Sequence, residues 1–118
     1  MVLFRIQDKE GRGPFHPGFS TQWADAAGGK MLPPIYKELG IEPANLRDII
    51  PDGLHCGCAC KTPTQLQDWF TRTERRRLLA LGFGIVRFEP DVVIAETPNQ
   101  VLFGCKEPLS NLPRISAS

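Results

Sequence analysis

The stretch GIVRFEPDVVIAETPNQVLFGC, residues 84–105, decides the fold class. It holds three short runs rich in β-branched and aromatic residues: Gly84 to Glu89, Val92 to Glu96 and Gln100 to Cys105. Such residues fit a pleated, half-buried surface. The gaps between them, Pro90-Asp91 and Thr97-Pro98-Asn99, are turn chemistry. Strands separated by so few residues predict antiparallel hairpins.

Immediately upstream the period changes. Thr71-Arg72-Thr73-Glu74 is a capping pattern, and Leu78 and Leu81 follow at helical spacing until Gly82 ends the run. Thr62-Pro63-Thr64-Gln65 opens an earlier helix with Pro in the first helical position. Leu66, Trp69 and Phe70 share one face of it, because three- and four-residue spacings align on a helix. Pro34 to Gly40 predicts a short helix and Glu42 to Ile50 another, stopped by Pro51. Leu54 to Cys60 suits a short strand.

At the other end, Val2 to Gln7 reads as a strand, with Val2, Phe4 and Ile6 on one face and Leu3, Arg5 and Gln7 on the other. Alone it leaves its backbone unpaired, so it is expected to join the C-terminal strands. Asp8 to Pro14 is turn sequence. Phe15 to Lys30 shows no period and carries the aromatic mass of Phe15, Phe19 and Trp23, which predicts a long loop pinned by aromatics. The expected architecture is α+β: an antiparallel sheet of four or five strands with two to four short helices. The expectation is one domain over residues 1–107 with a flexible tail over 108–118.

The totals agree with a single core. The chain has 118 residues, 42% of them hydrophobic. Fourteen basic residues against thirteen acidic ones leave a net charge of +1, so binding to nucleic acid or an anionic membrane would need a local patch. No apolar run reaches the length of a membrane span. With no signal-peptide pattern at Met1 to Asp8, a cytoplasmic, reducing location is expected.

Three features carry chemistry. His55, Cys56, Cys58 and Cys60 supply four zinc-compatible ligands in six residues. On one strand, however, the three cysteines share a face that cannot wrap a tetrahedron, and reduced cysteines also fill cores as small hydrophobes. A cysteine nucleophile would need His16 or His55 beside it. Arg72, Arg75, Arg76 and Arg77 form a basic patch; charges in such a run ordinarily make a solvated helix face, and the sharper reading is binding to phosphate or to an acidic protein surface. Gly11-Arg12-Gly13 is too short for a nucleotide-binding fingerprint.

The segments Phe4-Arg5-Ile6, Gly11 to Phe15, Gln65 to Phe70, Leu81-Gly82-Phe83 and Gln100 to Phe103 resemble small phage and prophage proteins, over most of the chain up to about Pro108. That resemblance implies an inhibitor or modulator of a host protein or ribonucleoprotein complex, of anti-CRISPR or other anti-defence type. It implies no cofactor. Phe19, Trp23 and the four arginines are the anchors to expect, since Trp and Arg dominate interface hot spots. A remoter resemblance is to ADP-ribosyltransferase-like domains, which use NAD. There Arg5 matches the NAD-anchoring position, Ser20 the serine step, and Gln100 or Glu96 the place of the catalytic glutamate. Neutral Gln100 lacks the charge that stabilises an oxocarbenium ion, so this resemblance extends to an inactive relative.

Overall fold

The computed structural model describes residues 1–15 and 33–115. Its elements are β1 (Leu3–Gln7), α1 (Ile35–Glu38), α2 (Leu46–Ile49), β2 (His55–Ala59), α3 (Pro63–Trp69), α4 (Arg72–Ala80), β3 (Gly84–Phe88), β4 (Val92–Glu96) and β5 (Val101–Cys105). Short 3-10 turns precede α2 and follow β5. The α+β expectation holds, with five antiparallel strands and four short helices among the described residues.

The strands divide into two sheets rather than the single one expected. β1 pairs with β3, and β2, β5 and β4 form the other sheet with β5 central. The β4–β5 hairpin is as read from sequence, with an irregularity between Val93 and Ala95. The expected β3–β4 hairpin is absent, because the chain changes sheets at Pro90-Asp91. Proline brings no N–H to a ladder. Asp91 instead accepts the backbone N–H of Lys106 at 2.8 Å, tying the crossing to the end of β5. The N-terminal strand joins the C-terminal part of the chain, as its unpaired backbone requires.

The inward faces of the two sheets pack on each other. Leu3, Val86 and Phe88 meet Ala59, Val101, Phe103 and Cys105. The Phe88 and Phe103 rings lie 4.7 Å apart between centroids in a tilted pair. The outer face of β1 and β3 is covered by α3 and α4, where Ile6 packs with Cys60, Leu66, Phe70, Leu78 and Phe83. Both faces of β1 are therefore occupied, and its period-two pattern sends alternate residues to two different cores.

The helix ends follow the residues that cap them. Thr71 accepts from the Glu74 N–H at 3.1 Å, and Glu74 accepts from the Thr71 N–H at 2.9 Å, a complete capping box. Gly82 adopts φ +93°, and the Phe83 N–H reaches back to the Leu78 carbonyl at 2.9 Å. At α3 only half of a capping box forms. Thr62 accepts from the Gln65 N–H, but the Gln65 side chain accepts from Lys61 and donates to the Pro98 carbonyl.

Residues 108–115 depart from the flexible tail that their prolines suggest. Leu109 is buried in the inter-sheet core, and its carbonyl accepts from Gln7 at 2.7 Å. Ile115 donates to the Ile85 carbonyl at 2.9 Å along the outer edge of β3. No helix among the described residues is long and apolar enough to cross a membrane.

Candidate functional site

The two sheets touch edge to edge at one point. Phe4 and Cys60 exchange a pair of backbone hydrogen bonds, both 2.8 Å, and beyond them β1 and β2 separate. Arg5 fills the gap. Its Nη1 donates to the Cys58 carbonyl at 2.7 Å, its Nη2 to the Gly11 carbonyl at 3.1 Å, and its Nε to Gln7 Oε1 at 3.1 Å. Its guanidinium carbon stands 5.8 Å from the centre of the Phe103 ring, a cation–π contact. The side chain thus supplies the donor that a continuing β1–β2 ladder would have given to Cys58.

Two local features make room for it. A Cβ on Gly57 would come within 2.9 Å of Arg5 Nη1, and one on Gly13 within 3.4 Å of Nη2. The turn after β1 is folded by Asp8, which accepts from the Glu10 and Arg12 N–H groups and from Arg12 Nε, all at 2.9 Å. That turn delivers the Gly11 carbonyl to the arginine. Gly11-Arg12-Gly13 is thus a brace over Arg5. Burial pushes the Arg5 pKa below its ordinary value, against the opposing pull of Cys58 and Asp8.

Arg5 also lines a cleft of about 730 Å³ between β1, β2, α1 and α3, whose walls include Phe15, Tyr36, Phe70 and Gln100. Arg5 and Gln100, assigned to one site by the transferase resemblance, do share this cleft. Glu96 does not line it. It is exposed and forms an ion pair with Lys61. Ser20 lies outside the described residues, as do His16, Phe19 and Trp23. The described walls carry no carboxylate, so nothing among them supplies the charge that an oxocarbenium ion requires.

Gln100 is held by its own amide. Nε2 donates to the Pro33 carbonyl at 2.6 Å and to Glu38 Oε1 at 2.7 Å. Glu38 collects two further donors, Thr97 Oγ1 at 2.9 Å and Asn99 Nδ2 at 2.6 Å. Burial alone would raise this carboxyl, but the bonds from Gln100, Asn99 and Thr97 together hold it below the usual carboxylate range. Sequence reading passed over Glu38. The signal was the β4–β5 turn, where Thr97, Asn99 and Gln100 bring three side-chain donors to one place and so call for an acceptor.

The cysteine run falls along β2 and just past it. His55 and Cys56 begin the strand opposite Cys105 and Gly104 of β5, and His55 is exposed. Cys56 and Cys58 are half-buried, and Cys60 is buried in the helix-side core. Among the described residues no group of three or more His, Cys, Asp or Glu is placed to hold a metal. His55, Cys56, Cys58 and Cys60 therefore do not converge, for the reason that one extended strand cannot wrap an ion. Burial drives the Cys58 thiol up to about 11 and the Cys60 thiol up to about 12, the reverse of an activated nucleophile.

The α4 arginines are arranged differently. Glu74 and Leu78 turn inward, which directs Arg72 and Arg76 to solvent on one stripe. Leu79 continues that stripe and is 51% exposed; Leu81 just beyond is 41% exposed. Arg77 is exposed further round the helix. Arg75 is half-buried and donates to the Phe70 carbonyl at 3.1 Å, bracing the joint between α3 and α4. Residues 70–88 carry five arginines against one buried glutamate, so the charge lacking in the whole chain is concentrated here.

A small α+β domain with an arginine-filled seam and an arginine-bearing helix is a plausible scaffold for many activities, and here the comparisons with known proteins narrow the class to phage proteins. The family model described as Bacteriophage T4 Y00F protein matches residues 1–110, and the chain belongs to that family. No curated protein and no solved structure matches it.

Proposed function

We propose that this phage-family chain acts by binding, as an inhibitor or modulator of a protein or ribonucleoprotein complex in the host cytoplasm, and that α4 is its anchor. One observation carries the reading. Arg72, Arg76 and Leu79 project to solvent from a helix whose start is fixed by a complete capping box and whose inner face is locked by Leu78. Arginine is enriched among interface hot spots, and here two arginines are presented from a rigid element beside exposed apolar surface. The charge selects an acidic partner surface and speeds its encounter. Membership in a phage family supports a host-directed role, and the finer reading is an anti-defence protein of anti-CRISPR type.

The test is affinity capture from nuclease-treated lysate of the bacterial host, with the natural chain beside an Arg72→Glu, Arg76→Glu double variant. A stoichiometric partner that the double variant fails to retain supports the proposal. Equal recovery by both proteins would remove α4 from the interface. Recovery that depends on nucleic acid surviving the nuclease would assign α4 to phosphate binding instead.

A further inference from the structure

The apolar surface that α4 leaves exposed continues past the helix onto β3 and residues 113–115. Leu79 and Ile85 line one shallow depression together with Arg75 and Phe83. Ile115 donates its N–H to the Ile85 carbonyl at 2.9 Å, and Arg87 donates to the Pro113 carbonyl at 3.3 Å. Residues 113–115 therefore run beside β3, with Arg114 opposite Val86 and Ile115 opposite Ile85 on the helix side of the sheet. Leu79, Ile85 and Ile115 thus follow one another across the surface. Leu79 is 51% exposed and Ile115 42%, and Ile85 between them is half-buried. Apolar surface gathered in one place and rimmed by polar groups marks an interaction site.

The rim is basic. Arg72 and Arg76 stand on the α4 side, and Arg87 follows Ile85 on the same face of β3. Arg114 bends over Gly84 and donates to the Gly82 carbonyl at 3.1 Å, just past the end of α4. None of these four takes part in an ion pair among the described residues. Asp8 and Glu10, in the turn that follows the Gln7–Gly84 pair, are both paired with Arg12. Glu89 lies beyond the end of β3, in a cleft shared with Asp91 and Glu107.

We propose that this surface docks an acidic amphipathic helix of a partner protein, an inference that rests on the reading of α4 as the anchor and names what the anchor holds. The apolar stripe of that helix covers Leu79, Ile85 and Ile115, and its carboxylates meet the flanking arginines. A helix carries its apolar residues as one stripe with charges to either side, the arrangement that an apolar strip with a basic rim complements. Arginine takes a carboxylate with two parallel hydrogen bonds. Nucleic acid would match the charge alone. It would leave the aliphatic side chains in water, and Phe83, the aromatic of the depression, is buried and offers no face to a base.

Fluorescent peptides of about 15 residues, roughly four helical turns, test this on the natural chain by anisotropy. One places leucines at helical spacing among glutamates and alanines, and a second has the same composition reordered so that the leucines scatter. A single-stranded oligothymidylate of about 15 nucleotides is the third probe. The amphipathic peptide is expected to bind about tenfold or more tightly than the reordered one, because only its stripe can be buried. Ile115→Asp is expected to cost a similar factor and to leave the melting curve in place, since the side chain is exposed and its backbone bond to Ile85 remains. Leu79→Asp provides the same reading from the helix. Equal affinity for the two peptides, tighter binding of the oligothymidylate, or no binding of the amphipathic peptide at concentrations on the order of millimolar would each overturn the proposal. If Arg72→Glu, Arg76→Glu abolished capture of a host partner while Ile115→Asp and Leu79→Asp left it intact, the α4 reading would stand and this inference would fall. A chain that held the amphipathic peptide as expected but captured nothing from the host would uphold the surface and sink the host-directed role.

Discussion

Arg5 sits at the parting of β1 and β2 with three donors on internal oxygens and its charge over Phe103, whereas Arg72 and Arg76 extend from α4 into solvent. The same side chain thus closes an incomplete sheet in one region and decorates a finished helix in the other. The comparison separates what an arginine does for the fold from what it offers a partner. Arg75 falls between the two, exposed in part yet tied to the Phe70 carbonyl. The difference is sharpest in stability, where the two groups should lie at opposite ends of the scale.

The largest effect is expected at the seam. Arg5→Ala strips the Cys58 and Gly11 carbonyls of their donor and leaves a void over Phe103. Losing several part-buried hydrogen bonds together costs about 3 kcal/mol, a fall in melting temperature on the order of 10 °C or more for a domain of this size. Thermal unfolding followed by circular dichroism measures it. A loss below about 1 kcal/mol would mean that the backbone pairing of Phe4 with Cys60 holds the seam unaided.

Glu38 gives the next effect and the one with a pH signature. Glu38→Gln turns one acceptor oxygen into a donor facing Thr97, Asn99 and Gln100, at a cost of about 1–2 kcal/mol. The folded carboxyl titrates below its ordinary value of 4.5, so its contribution is fully present above that value. It is lost as the pH falls through the lower folded pKa. Asp8, held down by hydrogen bonds from Arg12 and from the Glu10 backbone N–H, adds a loss of the same sign from its ordinary 3.8. Melting curves taken across the acid range should therefore converge for the natural chain and the variant as the pH drops. A constant gap between them would show that the cluster is held by shape rather than by charge.

A smaller cost is expected at the start of α4. Thr71→Ala breaks the capping box and removes about 1 kcal/mol, the usual worth of a side-chain cap. Because Arg72 is the first residue of α4, fraying there should also loosen partner binding slightly, which links the rigid helix to its proposed use. Hydrogen exchange at residues 72–75 reads the fraying directly. Unchanged protection would show that the packing of Leu78, not the cap, fixes the helix.

What could be read from the sequence follows a physical divide. The α4 boundaries were written in contiguous residues, Thr71 to Glu74 at one end and Gly82 at the other, and local signals of that kind survive folding unchanged. So did the alternation of β1, which correctly separated Phe4 and Ile6 from Leu3, Arg5 and Gln7. The division into two sheets was not readable, since Pro90-Asp91 looks the same in a hairpin as in a crossing. The burial of Leu109 was hidden because proline-rich sequence around it suggests a tail. Arg5 drew attention through a family resemblance, but its role depends on carbonyls 6 and 53 residues away. Glu38 likewise meets its donors about sixty residues later in the chain. The cysteines were weighed both as ligands and as core; their burial places Cys60 in the core, and chain proximity had suggested a convergence that an extended strand prevents.

The smallest change in stability is expected where the change in binding is greatest. Arg72→Glu places an acid in the first turn of α4, where the helix dipole favours it, while Arg76→Glu places one at the middle of the helix, where the dipole has little effect. Each contribution is at most about a few tenths of a kcal/mol at an exposed position, so the double variant should unfold within about 0.5 kcal/mol of the natural chain. Its encounter with an acidic partner should slow sharply and no longer weaken with added salt, because the attraction that salt screens is removed or reversed when two positive charges become negative. Association rates measured at two salt concentrations, beside melting curves of both proteins, test the pair of expectations together. If the double variant were as destabilised as Arg5→Ala, the arginines of α4 would belong to the fold as Arg5 does, and the contrast between the two regions would collapse. If it were stable and still bound its partner at the natural rate, the contrast would stand and the interface would have to lie elsewhere on the molecule.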